Sequence, residues 1–459
     1  MVEPLLVVLE ASGAVAAVAS QDDPAFPAGI DVIDDTALDV SWSLAIETVP
    51  TLVRLQDGAE IGRVEGWLRS DWEELLGVEG LAPELPDFRP GCGSLSVDPA
   101  RADELAVRHH GALLASRRVE IGGQEDELEA MWDRGWADGL PVVPPTPARV
   151  LRMLSGTDRD PLEVVATVPP DLVPCTVEKV AVNAVLAGCR PEYLPVVIAA
   201  VEAACTDDFN IHGLLATTYF SGPLVIVNGP IAAAIGMNSG GNALGQGNRA
   251  NSTIGRALQL VVRNVGGGRP GGVDRATLGN PGKIGWSFAE DETGSPWQPL
   301  SVWRGLAPGE SAVTLFAAAG LTPVVDQASR TPESLARSFA AVLRSVAHPK
   351  LVMGFDAVVV VCPEHARVFR EAGWDRARVM AELGDLLTLH GDELVKGASG
   401  IAEGLPAWAA GRTFPKFRDG GLLLVHAGGT AGMFSAVIGG WASGPAGSVP
   451  VTRPVRWAR

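Results

Sequence analysis

The chain has little positive charge and no long apolar run. It holds 36 Lys and Arg against 54 Asp and Glu, which gives a formal net charge of -18. This negative balance opposes binding to nucleic acids and to anionic membrane surfaces. No apolar stretch approaches the ~18 residues that a membrane-spanning helix needs, and the acidic N-terminus is unlike a basic signal peptide. We therefore expect a cytoplasmic protein that binds neither nucleic acid nor membrane.

Cysteines are few and scattered. No two of them form a CxxC pair, and none has the spacing of a zinc site. The sequence therefore predicts neither a disulfide framework nor a metal site, and it identifies no cofactor. The five cysteines are Cys92, Cys175, Cys189, Cys205 and Cys362.

Apolar strands alternate with amphipathic helices along the 459 residues, a pattern typical of an α/β protein of two or three domains. We expect an N-terminal domain over residues 1–80 and a larger α/β unit of two subdomains, 123–330 and 331–459. Residues 81–122 contain repeated prolines, which predict a linker.

The N-terminal domain reads as strand, helix, hairpin and closing helix, with a first strand at Leu5–Leu9. The segment TVPTLVRLQDGAEIGRVEGW, Thr48 to Trp67, resembles the second half of a thioredoxin fold. The resemblance implies a cis peptide bond before Pro50. No CxxC follows the first strand, so we expect a thioredoxin-like domain without dithiol exchange, used for docking or dimerisation.

Cys92 lies in the predicted linker, within RPGCGSL. Its glycine neighbours predict an accessible thiol, and nearby Arg89 favours the thiolate, so we expect the most reactive cysteine here. An ordinary linker thiol is the alternative. The sequence CGSL resembles the UGSC/CGSC motif of bacterial selenocysteine-or-cysteine proteins. Residues 125–330 contain the segments WADGLPVVPP and AVNAVLAGCRPEYLPVV, through which they resemble an uncharacterised bacterial family associated with UGSC-type proteins. This resemblance implies an architecture and no activity.

A loop rich in glycine and amide side chains, Asn238 to Asn248, follows the apolar run Leu224–Val227 and precedes a predicted helix. Glycine exposes backbone N–H groups, and a helix N-terminus attracts anions, so we predict an anion site. A purely structural glycine loop is the alternative. His212 precedes the strand and is a candidate acid/base. The predicted ligand-binding residues are Asn228, Asn238, Ser239, Gln246, Asn248, Arg249 and Lys283.

Two further apolar strands end in chemically active residues. Ala357–Val361 leads into Cys362, and Gly421–Val425 leads into a histidine followed by glycines. Because ligands bind at the carboxyl ends of strands in α/β sheets, we expect these ends to share one edge. A Cys362–His426 pair is conceivable, and chance placement is the alternative. The additional ligand-binding candidates are His426, Gly428, Gly429 and Thr430.

Two functional hypotheses follow. In the first, the protein is an enzyme that acts on a small, anionic substrate by thiol-dependent redox or lyase chemistry, with Cys92 and His212 as catalytic residues. In the second, it is a non-catalytic binding or assembly protein. Its N-terminal domain then mediates contact with a protein partner or with a second copy of the chain.

Overall fold

The structure is a computed structural model that describes residues 17–23, 25, 31–123 and 125–457. The chain forms two compact units, Met1–Leu113 and Leu114–Arg459, and the division falls inside the predicted linker. No helix in the described part of the chain combines the length and apolar character needed to cross a membrane. The predicted strand Leu5–Leu9 lies outside the described residues.

The first unit is built from short elements. These are β1 Val18–Ser20, β2 Val32–Asp34, α1 Asp39–Ser43, β3 Thr48–Val49, β4 Thr51–Gln56, β5 Ala59–Glu65, β6 Trp67–Leu68, α2 Arg69–Leu76, β7 Phe88–Arg89, β8 Cys92–Gly93 and α3 Pro99–His110. The strands pair two by two, β1 with β2, β3 with β8, β4 with β5 and β6 with β7.

The predicted hairpin is present as β4 and β5, with Asp57 and Gly58 both at positive φ in the turn, as a tight hairpin requires. The Val49–Pro50 bond is cis, as predicted. The described strand pairs do not join into one sheet, so a thioredoxin domain is not shown. The predicted linker instead contains α3, because the Asp98 side chain accepts from backbone N–H groups of its first turn and Pro99 starts the helix.

The second unit contains the larger sheet and most of the helices. Its helices are α4 Glu127–Asp133, α5 Pro147–Leu154, α6 Val177–Ala187, α7 Leu194–Ala204, α8 Ile211–Ala216, α9 Pro230–Ala234, α10 Arg249–Asn264, α11 Leu300–Trp303, α12 Pro332–Arg344, α13 Pro363–Glu371, α14 Arg376–Leu386 and α15 Gly391–Leu394. Its strands are β9 Val164–Val168, β10 Val173–Thr176, β11 Gly222–Asn228, β12 Ser287–Ala289, β13 Ala312–Val325, β14 Phe355–Val361, β15 Thr388–His390, β16 Thr413–Pro415, β17 Leu422–His426, β18 Phe434–Ala442 and β19 Val451–Pro454.

Seven of these strands form one mixed sheet in the order β12-β11-β13-β18-β14-β17, with β19 beside the first half of β13. The two halves of the sheet, β12-β11-β13 and β18-β14-β17, are arranged in opposite order about its centre. In each half, two parallel strands (β11 with β12, β14 with β17) are joined by a crossover through helices, and a third strand returns antiparallel. The returning strands β13 and β18 pair at the centre of the sheet, so both predicted subdomains contribute to it.

Helices cover the outer face of the sheet in two separate layers. In the first layer, helices α5, α6, α7, α8 and α10 pack on strands β11 and β13. In the second layer, helices α12, α13 and α14 pack on strands β14 and β17. The inner face has its own cluster, which includes Leu224, Phe288, Phe316, Val360 and Leu423 from five strands. The sheet therefore curves around these side chains.

The curvature brings the two edges of the sheet together. The N–H of Asp291, just after β12, donates to the carbonyl oxygen of His426 at the end of β17, with a distance of 2.8 Å. The strands predicted from apolar runs, β11, β14 and β17, are present and almost wholly buried. Asn248 and Thr331 cap α10 and α12 as their positions in the sequence predict.

Candidate active site around Cys362

Cys362 lies where β14 ends and α13 begins, as the N-cap residue of that helix. The preceding residue, Val361, is paired with His426 across the parallel strands β14 and β17. Two residues after His426, Gly428 lies close to Cys362: a Cβ added to Gly428 would lie 3.7 Å from the Cβ of Cys362. The carboxyl ends of both strands therefore do meet at one edge, as predicted.

The predicted glycine-rich loop meets this edge as well. The N–H of Gly428 donates to the carbonyl oxygen of Ser239 with a distance of 2.9 Å. A Cβ on Gly429 would lie 3.4 Å from the Cα of Gly241, so the two backbones are nearly in contact. Ala243 anchors the loop in the inner apolar cluster. The structure thus brings together the two glycine loops that the sequence identifies separately, beside the Cys362 thiol.

A buried hydrogen-bond chain supports Cys362 from the opposite side. His365 is fully buried, and its Nε2 lies 2.9 Å from the main-chain oxygen of Asp326. Because a carbonyl oxygen only accepts, Nε2 carries a hydrogen in every protonation state of the ring. The other nitrogen, Nδ1, lies 2.7 Å from Oγ of Ser435, which also accepts the N–H of Cys362 at 3.0 Å. These bonds fix the ring on the thiol side of the helix.

This environment stabilises the thiolate of Cys362. Burial opposes ionisation, but the neighbouring side chains of His365 and Ser435 and the N–H of His365 outweigh it and lower the pKa of Cys362 to about 7. Burial also lowers the pKa of His365, yet the neighbouring thiolate and the Asp326 carbonyl raise it overall. The two groups favour a thiolate–imidazolium pair.

Three other cysteines behave differently. Desolvation without a compensating hydrogen-bond network raises the pKa of buried Cys175 and Cys189 and of half-buried Cys205 to about 12. Cys92 is exposed on β8 in the first unit, so its predicted accessibility is confirmed. Among the buried thiols of the described chain, Cys362 is the one whose surroundings favour ionisation near neutral pH.

The loop after His426 offers hydrogen-bond donors. Within the described part of the chain, the N–H groups of Gly429, Thr430 and Ala431 have no acceptor, whereas that of Gly432 donates to the carboxylate of Glu364. Thr430 and Ala431 are exposed, so their N–H groups are accessible to a ligand, and the N-terminus of α13 is a second source of positive potential at this edge. An anionic ligand is therefore compatible with this loop.

Buried polar groups line the seam between the two sheet edges. The Asn228 amide donates to Glu290 at 2.7 Å and to Glu292 at 2.9 Å. His426 holds its Nδ1 3.1 Å from the Asp291 carbonyl oxygen, which fixes the hydrogen on Nδ1. Asn228 Oδ1, Glu290 Oε1 and His426 Nε2 are buried and have no hydrogen-bond partner among the described residues. Two predicted site residues, Asn228 and His426, thus lie at this seam.

Several predicted ligand contacts have structural partners instead. Arg249 donates to the carbonyl oxygen of Gly188, at 2.8 Å, at the end of α6. Lys283 forms an ion pair with Asp274 at 2.7 Å. Asn248 donates its side-chain amide to the Gly236 carbonyl oxygen besides capping α10.

The remaining predicted residues lie around the two loops or away from them. Asn238 donates to the Gly241 carbonyl oxygen inside its loop, Gln246 is exposed, and Thr430 is exposed on the second loop. His212 is exposed on α8, and its side chain has no hydrogen-bond partner in the described part of the chain. Cys92 belongs to the other compact unit.

Sequence reasoning missed His365, Ser435 and Asp326. The local signal for His365 was present in Cys362-Pro363-Glu364-His365, because a histidine three residues after an N-cap cysteine returns to the same end of the helix. Ser435 and Asp326 come from β18 and from the loop after β13, and no local pattern connects them to Cys362.

The described residues contain no cluster of three or more His, Cys, Asp or Glu side chains arranged to hold a metal ion. The arrangement around Cys362, a thiol beside an imidazole that a third group orients, is of the kind that can activate a nucleophile. Comparison with protein-family models, with curated proteins and with solved structures gives no match to this chain.

Proposed function

We propose that the protein is a thiol-dependent enzyme that acts on a small, anionic substrate, with Cys362 as its nucleophile and His365 as the proton partner of that thiol. The observation that carries this proposal is the hydrogen-bonded set Cys362, His365, Ser435 and Asp326 beneath two glycine loops. Both the redox and the lyase chemistry predicted from the sequence need an ionised thiol. The geometry supports Cys362 in that role better than Cys92, and His365 better than His212.

Each group has a defined task in this proposal. His365 accepts the thiol proton, and Ser435 and Asp326 hold the ring so that the thiolate is maintained. The N–H groups of Gly429 to Ala431 and the start of α13 bind the negative charge of the substrate. The electrophilic atom of the substrate then lies between the thiolate and these donors.

Alkylation of the native protein with iodoacetamide at pH 7, followed by peptide mapping, tests the proposal. A Cys92→Ser background removes the exposed thiol, and Cys205, which is half-buried and has a pKa of about 12, is the internal control. We expect Cys362 to be labelled at least tenfold faster than Cys205, because thiolate fraction sets the rate. We also expect acetate, as a minimal carboxylate, to slow labelling of Cys362. Equal labelling of the two cysteines would falsify the proposal.

For the first unit we propose a thioredoxin-like module used for contact with a protein partner or with a second copy of the chain. The hairpin β4–β5 followed by α2 supports the thioredoxin-like assignment, and the sequence carries no CxxC motif for dithiol exchange. Size-exclusion chromatography with light scattering on the full chain and on a chain that starts at Leu114 tests it. The same oligomeric state for both would contradict a role in self-association.

A further inference from the structure

Cys362 lies at the end of the sheet where β14 ends and β18 begins. Val360 of β14 is paired with Ala436 of β18, and both belong to the inner apolar cluster. Strand side chains alternate between faces, so Phe434, two residues before Ala436 on β18, also lies on the inner face. Phe434 is in turn paired with Val325 of β13. Phe434 and Val325 thus extend the inner face to the end of the sheet at which Cys362 follows β14.

This end of the inner face is apolar and uncovered. The pairing of β11 with β13 stops at Ala318, so β11 does not extend beside the second half of β13. Leu321, Val325 and Phe434 are 46%, 62% and 53% exposed, although the register places them on the face that is buried elsewhere. Pro323, between the first two, is exposed as well. We name these four residues the apolar wall.

The wall is continuous with the glycine loop that carries the unpaired N–H groups. A Cβ on Gly432 would lie 3.2 Å from the ring of Phe434, so the end of that loop rests against the wall. The unpaired N–H groups of Gly429 to Ala431 precede this contact by a few residues. A single ligand beside Cys362 therefore meets donors for an anion on one side and a hydrocarbon surface on the other.

We infer that the substrate is amphipathic, with an anionic group at the glycine loop and a hydrocarbon group on the apolar wall. This inference rests on the proposed function, because the occupant of the wall is the substrate that reacts at Cys362. Four exposed apolar side chains on adjacent strands, at the end of the sheet where Cys362 lies, form a surface suited to a hydrocarbon group. Phe434 and Val325 then determine specificity through the length of the hydrocarbon group.

Protection of Cys362 from iodoacetamide by a series of unbranched carboxylates, acetate, butanoate, hexanoate and octanoate, tests the inference in the full chain. Each buried methylene should lower the half-protecting concentration by about threefold to fourfold. In the Phe434→Ser and Val325→Ser variants, each added methylene should lower the half-protecting concentration by only about twofold or less, while the half-protecting concentration of acetate stays unchanged. Leu278→Ser, which removes a side chain that is 81% exposed outside the wall, is the matched control and should keep the full gain.

The outcomes separate the two proposals. If acetate protects Cys362 but longer chains protect no better, the apolar wall does not bind substrate and the thiol proposal stands. If longer carboxylates protect Cys362 as much better than acetate in Phe434→Ser and Val325→Ser as they do in the wild type, the inference that the apolar wall binds the hydrocarbon group is likewise contradicted. If Cys362 is not labelled preferentially and no carboxylate protects it, the proposed function itself fails.

Discussion

The N–H of Gly428 donates to the carbonyl oxygen of Ser239, and this bond joins the two glycine loops beside Cys362. Gly428 has a φ of +128°, and its missing side chain leaves room for Pro363 at 3.5 Å from a Cβ position. We expect Gly428→Ala to lower the free energy of unfolding by about 1–3 kcal/mol, through backbone strain. A shift of the strained loop would change the surroundings of Cys362, whose Cβ lies 3.7 Å from the Cβ position of Gly428, so alkylation of Cys362 should slow several-fold at pH 7.

Gly411→Ala is the matched control for this substitution. Gly411 has a φ of +70° and open space around its Cβ position. We expect a comparable loss of stability, measured by urea denaturation, without a change in the alkylation rate. Equal slowing in both variants would mean that the effect on Cys362 is a general consequence of strain.

The rate of Cys362 alkylation should follow the fraction of thiolate. Since the pKa of Cys362 is lowered to about 7, the rate should rise with pH, reach half its plateau near pH 7 and become flat above about pH 8. Ser435→Ala removes one of the hydrogen bonds that favour the thiolate, so the midpoint should move up by about one pH unit. Rates measured from pH 5 to 10 by mass spectrometry check this, with Ser345→Ala, an exposed serine, as the control. An unmoved midpoint in Ser435→Ala would contradict the assigned role of the hydroxyl.

Arg376 contacts groups from both sheet edges at the seam where they meet. Its guanidinium lies 3.6 Å from the Glu290 carboxylate, both side chains are almost fully buried, and it donates to the carbonyl oxygens of Leu424 and Gln298. Arg376→Leu leaves a buried carboxylate without its cation, so we expect a loss of about 3–5 kcal/mol in the free energy of unfolding. Arg378→Leu, on the exposed side of the same helix, should cost less than about 1 kcal/mol. Similar values for the two variants would show that the seam pair does not stabilise the fold.

Lys416 is a fully buried cation whose Nζ donates to the carbonyl oxygens of Val346, His348 and Leu351, at 2.7–2.9 Å. Lys416→Met leaves these acceptors without their donor, and we expect a loss of about 2–4 kcal/mol at pH 7. Lys396→Met removes an exposed lysine and should change the free energy of unfolding by less than about 0.5 kcal/mol. A small loss in both variants would mean that the carbonyl groups find other donors.

The same lysine gives a pH dependence of defined sign. Burial lowers the pKa of Lys416 to about 8 in the folded protein, below its value in the unfolded chain. Between these two pKa values the unfolded chain binds more protons, so the contribution of this group to stability increases as the pH rises above about 8. The difference in stability between the wild type and Lys416→Met should therefore widen from pH 8 to pH 10. A constant difference over that range would contradict the assignment.

The parts of the fold that the sequence predicts are those with local causes. Strands β11, β14 and β17 are short runs of apolar residues between turn signals, and Asn248 and Thr331 are followed directly by the helices that they cap. The meeting of the two glycine loops was predictable in part, because both follow strands of one sheet. The closure of that sheet at Asp291 and His426 has no local signature.

Which cysteine is activated, and which cations are free to bind a ligand, depends on partners that are distant in the sequence. Cys362 is activated by Ser435 and by the loop after β13, which folding brings to it from other strands. Arg249 and Lys283 satisfy carbonyl and carboxylate oxygens of Gly188 and Asp274. A charge in a sequence shows that a partner is needed, and only the three-dimensional arrangement identifies that partner.

The mirror-ordered sheet also bears on how the chain can be divided. Strands β11 to β13 and strands β14 to β18 are each contiguous in sequence, and the segment between Val325 and Pro332 is the one covalent link between the two groups. A break there produces two fragments, each with a complete set of three strands, that meet through the antiparallel pair β13–β18, with β19 of the second fragment also pairing with β13. The centre of the sheet would then serve as the interface of a split protein. The thiol and its imidazole would reside on one fragment, and the loop that carries Ser239 on the other.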